Sequence, residues 1–293
     1  MIANRLVLLA CASVLSAGLA GCSKSPEATG TAAVAPAPAP VDPAVAATDA
    51  LKAVVAGDHR SAENKARDAW RHPVETLGFF GIRPDMTVVE LWPFGGWYAE
   101  ILAPYLKDGG TYYAAAMDPE SKDKGDLAYN ESLDKMLAAR PELFSKVQKT
   151  VLAPGKMEIA PEGTADLVVS FRNIHNWVWS GMEKDVFAAA FKALKPGGVL
   201  GIVEHRNANP DFEPKKPGEA YVGEEYAVKL IESAGFKLEG RSDINNNPKD
   251  TKDHPKGVWT LPPSYAMGDV DREKYAAIGE SDRFTLKFVK PAN

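Results

Sequence analysis

Apolar positions along the chain fall into two alternating rhythms. Short β-rich runs recur, each followed by a segment whose apolar residues are spaced three and four apart. From the N-terminal side, Asp58 can cap a helix through "HRSAENKARDAWR", stopped by Pro73, and "VETLGFF" forms a short helix ending at Gly81. "MTVVEL" is the first strand. The turn "WPFGG" follows it, then the helical "WYAEILAPYL", closed by Gly109-Gly110. "TYYAAAM" is a second strand ending in Asp118-Pro119, and "DLAYNESLDKMLAAR" a helix before Pro141. "KVQKTVL" and "ADLVVSF" are the third and fourth strands. The fourth is apolar almost throughout, as a strand covered on both faces should be. "EKDVFAAAFKAL" is an amphipathic helix stopped by Lys-Pro-Gly-Gly, and "VLGIVEH" is the fifth strand. "GEEYAVKLIESAGF" is a helix, "KLEGRSDI" the sixth strand and "RFTLKFVK" the seventh.

Strands alternating with helices of this length predict an α/β fold with a doubly wound, mostly parallel, seven-stranded sheet. An N-terminal helical extension precedes it, and a long insert, 245–282, precedes the last strand. Ligands of such sheets bind at the carboxyl ends of the strands. That rule selects Glu90–Gly96, Met117–Asp118, Phe171–Trp177 and Glu204–Arg206.

The chain ends change the picture of where the domain sits. Arg5 precedes an apolar run from Leu6 to about Ala20, which has the length and composition of a secretory signal. Leu19-Ala20-Gly21-Cys22 resembles the lipobox of bacterial lipoproteins. The resemblance implies that residues 1–21 are removed and Cys22 is lipidated. Ser23 then implies anchoring at the outer membrane, facing the periplasm. An alternative is a signal peptide in which Cys22 is incidental. Residues 22–47 are rich in Ala and Pro and read as an extended tether. The folded domain is expected over 48–293. Cys11 and Cys22 are the only cysteines, so that domain holds no disulfide and no cysteine nucleophile. A formal net charge of −5 argues against nucleic acid as a main partner.

The order of elements resembles the class I methyltransferases, which use S-adenosylmethionine. "VVELWPFGGWYAEIL" stands where their first motif lies, Asp118 where their ribose-binding acid ends the second strand, and "ADLVVSFRNIHNW" at their fourth motif. "FKALKPGGVLGIVEH" and "VKLIESAGFKLEG" resemble the elements that follow. The coverage is roughly residues 74–244 and 283–290. More narrowly, the Trp-Pro turn, "RNIHNW" and "NPKDTKDHPKGVWTLPPS" resemble a group of exported, predicted methyltransferases. The resemblance implies a Rossmann-like methyltransferase fold, S-adenosylmethionine as cofactor and methyl transfer to a small-molecule acceptor. Two departures stand out. The usual first and second glycines of the turn fall on Trp92 and Phe94, and the acid that often follows the third strand is missing near Pro154.

Methyl transfer from a sulfonium mainly needs two reactants held in line, with a base where the acceptor carries a proton. On the cofactor side, Asp118 suits the ribose diol. Glu90 suits the ammonium or supports the turn, and Gly95 and Gly96 allow close backbone approach. Trp92 and Asn173 are further cofactor candidates, with Phe94 and Trp97 as aromatic walls. On the catalytic side stand His175, His205 and Arg172, the first two as bases and the last to hold an acceptor carboxylate or phosphate. Each has a plain alternative: a strand-end acid capping its turn, a core histidine, or aromatic packing. Asn176, Asp253, His254 and Trp259 are assigned to acceptor binding or a lid, because loops as long as 245–282 are uncommon unless functional. Arg67 and Arg71-His72 on the N-terminal helix could cover the cofactor, but read better as surface charge. A ligand-binding lipoprotein that keeps the fold without catalysis is the alternative function. A metal enzyme using His175, His205, His254, Glu204 and Asp253 is disfavoured, because their spacing fits no ligand motif.

Overall fold

The structure, a computed structural model, describes residues 43–292. The signal segment, Cys22 and most of the tether lie outside the described residues.

One sheet organises the domain. Its strands are β1 (Thr87–Leu91), β2 (Thr111–Ala116), β3 (Gln148–Val151), β4 (Ala165–Phe171), β5 (Leu194–His205), β6 (Lys237–Ser242) and β7 (Arg283–Val289). Their spatial order is β3-β2-β1-β4-β5-β7-β6. Pairing is parallel from β3 through β5, and β7 runs antiparallel to both β5 and β6. The expected seven-stranded, mostly parallel sheet is therefore present, with its last strand reversed.

Helices α1 (Pro43–Ala56), α2 (Ala62–Ala66), α3 (Asp68–Arg71) and α4 (Pro73–Phe80) precede the sheet. Helix α5 (Ala99–Leu106) links β1 to β2, while α6 (Lys124–Ala139) and α7 (Pro141–Phe144) link β2 to β3. Helices α8 (Ile174–Ser180) and α9 (Glu183–Ala193) link β4 to β5, and α10 (Glu224–Glu232) links β5 to β6. The insert before β7 holds a 3₁₀ turn, Gly257–Thr260, and α11 (Arg272–Ile278).

The strand pattern explains the layering. Along β4, Leu167, Val169 and Phe171 face one side of the sheet, while Val168 faces the other. That period of two places an apolar cluster on each face. One cluster lies under α4 and α5, with Leu77, Phe80, Ile101 and Leu102. The other lies under α9 and α10, with Phe187, Ala190, Val228 and Ile231. No helix among the described residues is long and apolar enough to cross a membrane.

Three local expectations need correction. The first helix begins at Pro43, inside the stretch read as tether, and buries Leu51 against the sheet-facing cluster. Asp58 caps nothing; Ser61 accepts from the Asn64 N–H at 3.1 Å and starts α2 instead. The single helix expected through Arg71 is broken at Arg67 into α2 and α3. In the polar stretch after β4, residues Ile174–Ser180 form a helix that the apolar spacing did not reveal.

Candidate functional site

The chain runs from β1 outward through β2 to β3, then returns to place β4 on the other side of β1. Such a reversal opens a crevice beyond the strand ends, because the two connections diverge to opposite faces. A cavity of about 880 Å³ lies there. That is near the top of the usual range for small-molecule sites, roughly 300–1,000 Å³, so two reactants can share it.

Its floor is the turn after β1. Trp92 and Phe94 have φ of 50° and 48°, and Gly96 has φ of 85°. The left-handed conformation is natural for Gly96 but strained for bulky residues, at about 1–3 kcal/mol each. The backbone thus keeps a glycine-type path at 92, 94 and 96, although two of the three positions carry aromatic rings. Packing holds them there. The Trp92 indole N–H donates to the Leu152 carbonyl at 2.7 Å, and its ring lies 5.9 Å from Trp177 and 6.2 Å from Phe94. Phe94 in turn meets Tyr129 at 4.7 Å. Both rings line the cavity, as does Gly95. Gly96 lies outside the lining and serves the turn: a Cβ there would come within 2.5 Å of the Met136 methyl.

Glu90 and Asp118 both face the cavity. Glu90 is buried and accepts from the Tyr112 hydroxyl at 2.5 Å. Burial pushes its carboxyl up to about 7, against the Tyr112 hydrogen bond and the charges of Arg172 and Arg71. Asp118 is half-buried and already engaged. It accepts from the Glu120 N–H at 3.0 Å, and Lys156 approaches to 2.9 Å. The Glu120 N–H and the Lys156 ammonium hold its carboxyl below the usual range. Lys156 is a flexible exposed side chain, so it can yield oxygens of Asp118 to a ligand.

The β4 end supplies Arg172, His175 and Asn176, all lining the cavity. His175 Nδ1 lies 3.2 Å from Glu204 Oε1. Glu204 also accepts from the backbone N–H groups of Ile174 and His205, at 2.6 and 2.8 Å. A carboxylate only accepts, so the proton of the neutral His175 ring sits on Nδ1 and Nε2 keeps its lone pair. Glu204 and His205, neighbours on β5, face opposite ways: Glu204 is fully buried outside the lining, and His205 faces the cavity. Its Nδ1 lies 2.5 Å from Ser281 Oγ. Burial, then the charges of His175, Arg172, Arg283 and Arg71, drive the His205 ring well below its ordinary value. His205 is therefore a neutral hydrogen-bonding wall, which leaves His175 as the better base.

Other assignments move. Asn173 is outside the lining; its amide donates to the Leu91 carbonyl at 2.9 Å and Ser170 Oγ at 3.0 Å, tying β4 to β1. Asp253 is exposed and held by Thr251, while His254 is buried on Asp250 at 2.8 Å. Neither reaches the cavity. Asp250 also accepts from Tyr221 and from the Asp282 N–H, so that part of the insert is an anchor. The insert still walls the cavity through Trp259, which packs 6.0 Å from Trp179 and 6.5 Å from His175, and through Pro262, Pro263, Glu280 and Ser281.

The reading of Arg67 and Arg71 as surface charge is corrected, and Glu280 was missed. Arg67 and Arg71 line the cavity and pair with Glu280 at 2.6 and 3.2 Å. No sequence signal could have joined them, since Glu280 lies 213 and 209 residues away. Among the described residues, no group of three or more His, Cys, Asp or Glu is placed to hold a metal ion.

No protein-family model matches the chain, and no curated protein sequence matches it. Solved structures do. A SAM-dependent methyltransferase from Aquifex aeolicus aligns over 83% of this chain and 98% of its own, with 16% identity and a TM-score of 0.51. The cyclase SpnF aligns over 84% of this chain and 93% of its own, with 17% identity and a TM-score of 0.53. The fold is thus the Rossmann-like fold of the SAM-dependent class I methyltransferases. At such identities the likeness defines the fold alone. A cyclase among the neighbours underlines that activity has to be argued from the site.

Proposed function

We propose that the protein is an S-adenosylmethionine-dependent methyltransferase with a small-molecule acceptor, exported and held at the membrane by a lipid on Cys22. One observation carries the catalytic reading. The turn after β1 keeps a left-handed path at Trp92, Phe94 and Gly96, and it opens on a cavity that Glu90 and Asp118 also face. Strain kept at two aromatic residues favours a functional turn over a relic.

The residues present fit the cofactor. Asp118 has oxygens for a ribose diol, Glu90 a carboxylate for an ammonium, and Trp92 and Phe94 supply faces for a ring or a sulfonium. The bound cofactor would supply an electrophilic methyl group. His175 Nε2 would take the proton that the acceptor releases, and Glu204 would keep the ring oriented. Trp179 and Trp259 exclude water around His175.

Calorimetry with S-adenosylhomocysteine tests this reading. The expected result is saturable binding at micromolar ligand, weakened tenfold or more by Asp118→Ala, about what loss of charge-assisted hydrogen bonds implies. Absence of binding at millimolar ligand would sink it. Export and anchoring rest on residues 1–47. Labelled palmitate should enter the wild-type chain and not a Cys22→Ser variant, and equal labelling would remove the anchor.

A further inference from the structure

The cavity has an unbalanced basic end. Arg67 enters it from the junction of α2 and α3, Arg71 from the end of α3, and Arg172 from the end of β4. Arg283 lies behind them. One carboxylate serves three of these groups: Glu280 pairs with Arg67 at 2.6 Å, Arg71 at 3.2 Å and Arg283 at 3.1 Å. Arg283 is spent, since it also donates to the Ser281 and Trp70 carbonyls. The cavity-facing three are not. Arg67 Nη2 and Arg71 Nη1 are buried without a hydrogen-bond partner. Among the described residues, the Arg172 guanidinium has no hydrogen bond and no ion pair.

Arg172 is half-buried, and a charge partly withdrawn from water without a partner is costly unless something else pairs it. Glu90, a second lining carboxylate that feels the charges of Arg172 and Arg71, is pushed up to about 7 by burial and is only partly ionised near neutrality. Burial lowers Arg172 to about 10, which still leaves it charged. Arg172 is also held at φ 65°, a left-handed conformation that a non-glycine residue rarely keeps without a reason. The planar fork of a guanidinium matches a carboxylate or phosphate in two-point contact.

We propose that the acceptor is a small acid, bearing a carboxylate or phosphate that lies on Arg172, with Arg67 and Arg71 supplying further donors. Glu280 holds those two side chains in place. Three residues beyond Arg172, His175 faces the same space, so an acid anchored on the guanidinium presents its reacting atom near the ring. The proposal rests on the methyl-transfer reading for the identity of the neighbouring cofactor. The same anionic chemistry has a second source, the cofactor's own carboxylate, and the two are separable.

The test is calorimetry of the full-length protein with malonate and with inorganic phosphate, both free and saturated with S-adenosylhomocysteine. The expected result is that at least one anion binds in both states, and that Arg172→Gln weakens it about tenfold or more. Preference for one anion then selects carboxylate or phosphate. Loss of anion binding on saturation would overturn the proposal, because the arginines would then hold the cofactor. Millimolar anions that fail to bind, or that bind Arg172→Gln equally well, would overturn it too. Should Arg172→Gln not fold, the wild-type comparison with and without S-adenosylhomocysteine still decides. Anion binding to a protein that does not bind S-adenosylhomocysteine would keep the acid site and discard the methyltransferase reading.

Discussion

Replacing Glu280 with Gln is expected to destabilise the protein by about 3–5 kcal/mol, the usual effect of removing one partner from a buried ion pair. Glu280 is buried and is the shared counterion of Arg67, Arg71 and Arg283. The amide keeps the shape but turns an acceptor into a donor facing guanidinium donors, and three cations lose their only carboxylate. Urea unfolding at pH 7 measures the effect, and a loss below about 1 kcal/mol would contradict it. Acid should erase the difference. Burial resists ionisation of Glu280, yet Arg71, Arg283, Arg67 and Arg172 together hold its carboxyl far below the ordinary 4.5. A depressed carboxylate stabilises the fold above its unfolded value and loses that contribution as pH falls toward its folded value. The gap between wild type and Glu280→Gln should therefore be full at neutral pH and narrow below about 4.5.

That ion cluster marks the limit of what the sequence exposes. The strands were legible because apolar runs such as "ADLVVSF" must lie where both faces are covered, and β4 spans that run residue for residue. Strand ends then pointed to Glu90, Asp118, Arg172, His175 and His205 with no knowledge of contacts. The cluster has no such signature. Arg67 and Arg71 stand among the charges of a helix whose pattern looks solvated, and their partner is on the far side of the chain. Helix α1 was hidden for a different reason. Its alanines favour a helix, but the proline-rich stretch before it disguised where the tether stops.

The Trp-Pro-Phe turn shows a subtler gap between side chains and backbone. Glycine content reports where a left-handed path is easy, and by that measure the turn had lost two of three positions. The path is nonetheless present, because the Trp92 hydrogen bond to Leu152 and the contacts of Phe94 with Trp92 and Tyr129 hold it. Aromatic packing has taken over a task that glycine performs by default. The converse error appears in the insert, where "DTKDHPKGVW" looked rich in site chemistry. Asp250 and His254 satisfy each other inside, and only Trp259 reaches the cavity.

Affinity for S-adenosylhomocysteine is expected to fall about tenfold between pH 8 and pH 6 if Glu90 receives the cofactor's ammonium. Burial places the Glu90 carboxyl at about 7, so it is mostly ionised at pH 8 and mostly protonated at pH 6. A cation binds the ionised form, and below pH 7 its binding must expel a proton. Glu90→Gln should bind more weakly at pH 8 and lose most of the pH dependence, which assigns that dependence to Glu90. Stability should move the other way. A carboxyl raised in the folded state favours folding below about 4.5, and that contribution disappears as pH rises through about 7. The ionised wild type therefore carries a burial penalty at pH 8 that the neutral amide escapes. Glu90→Gln should be more stable there, by up to about 3 kcal/mol. Weaker binding with higher stability in one variant would identify Glu90 as a group kept for its ligand. A flat binding profile between pH 6 and pH 8 would instead assign it to the turn, where its hydrogen bond with Tyr112 already holds it.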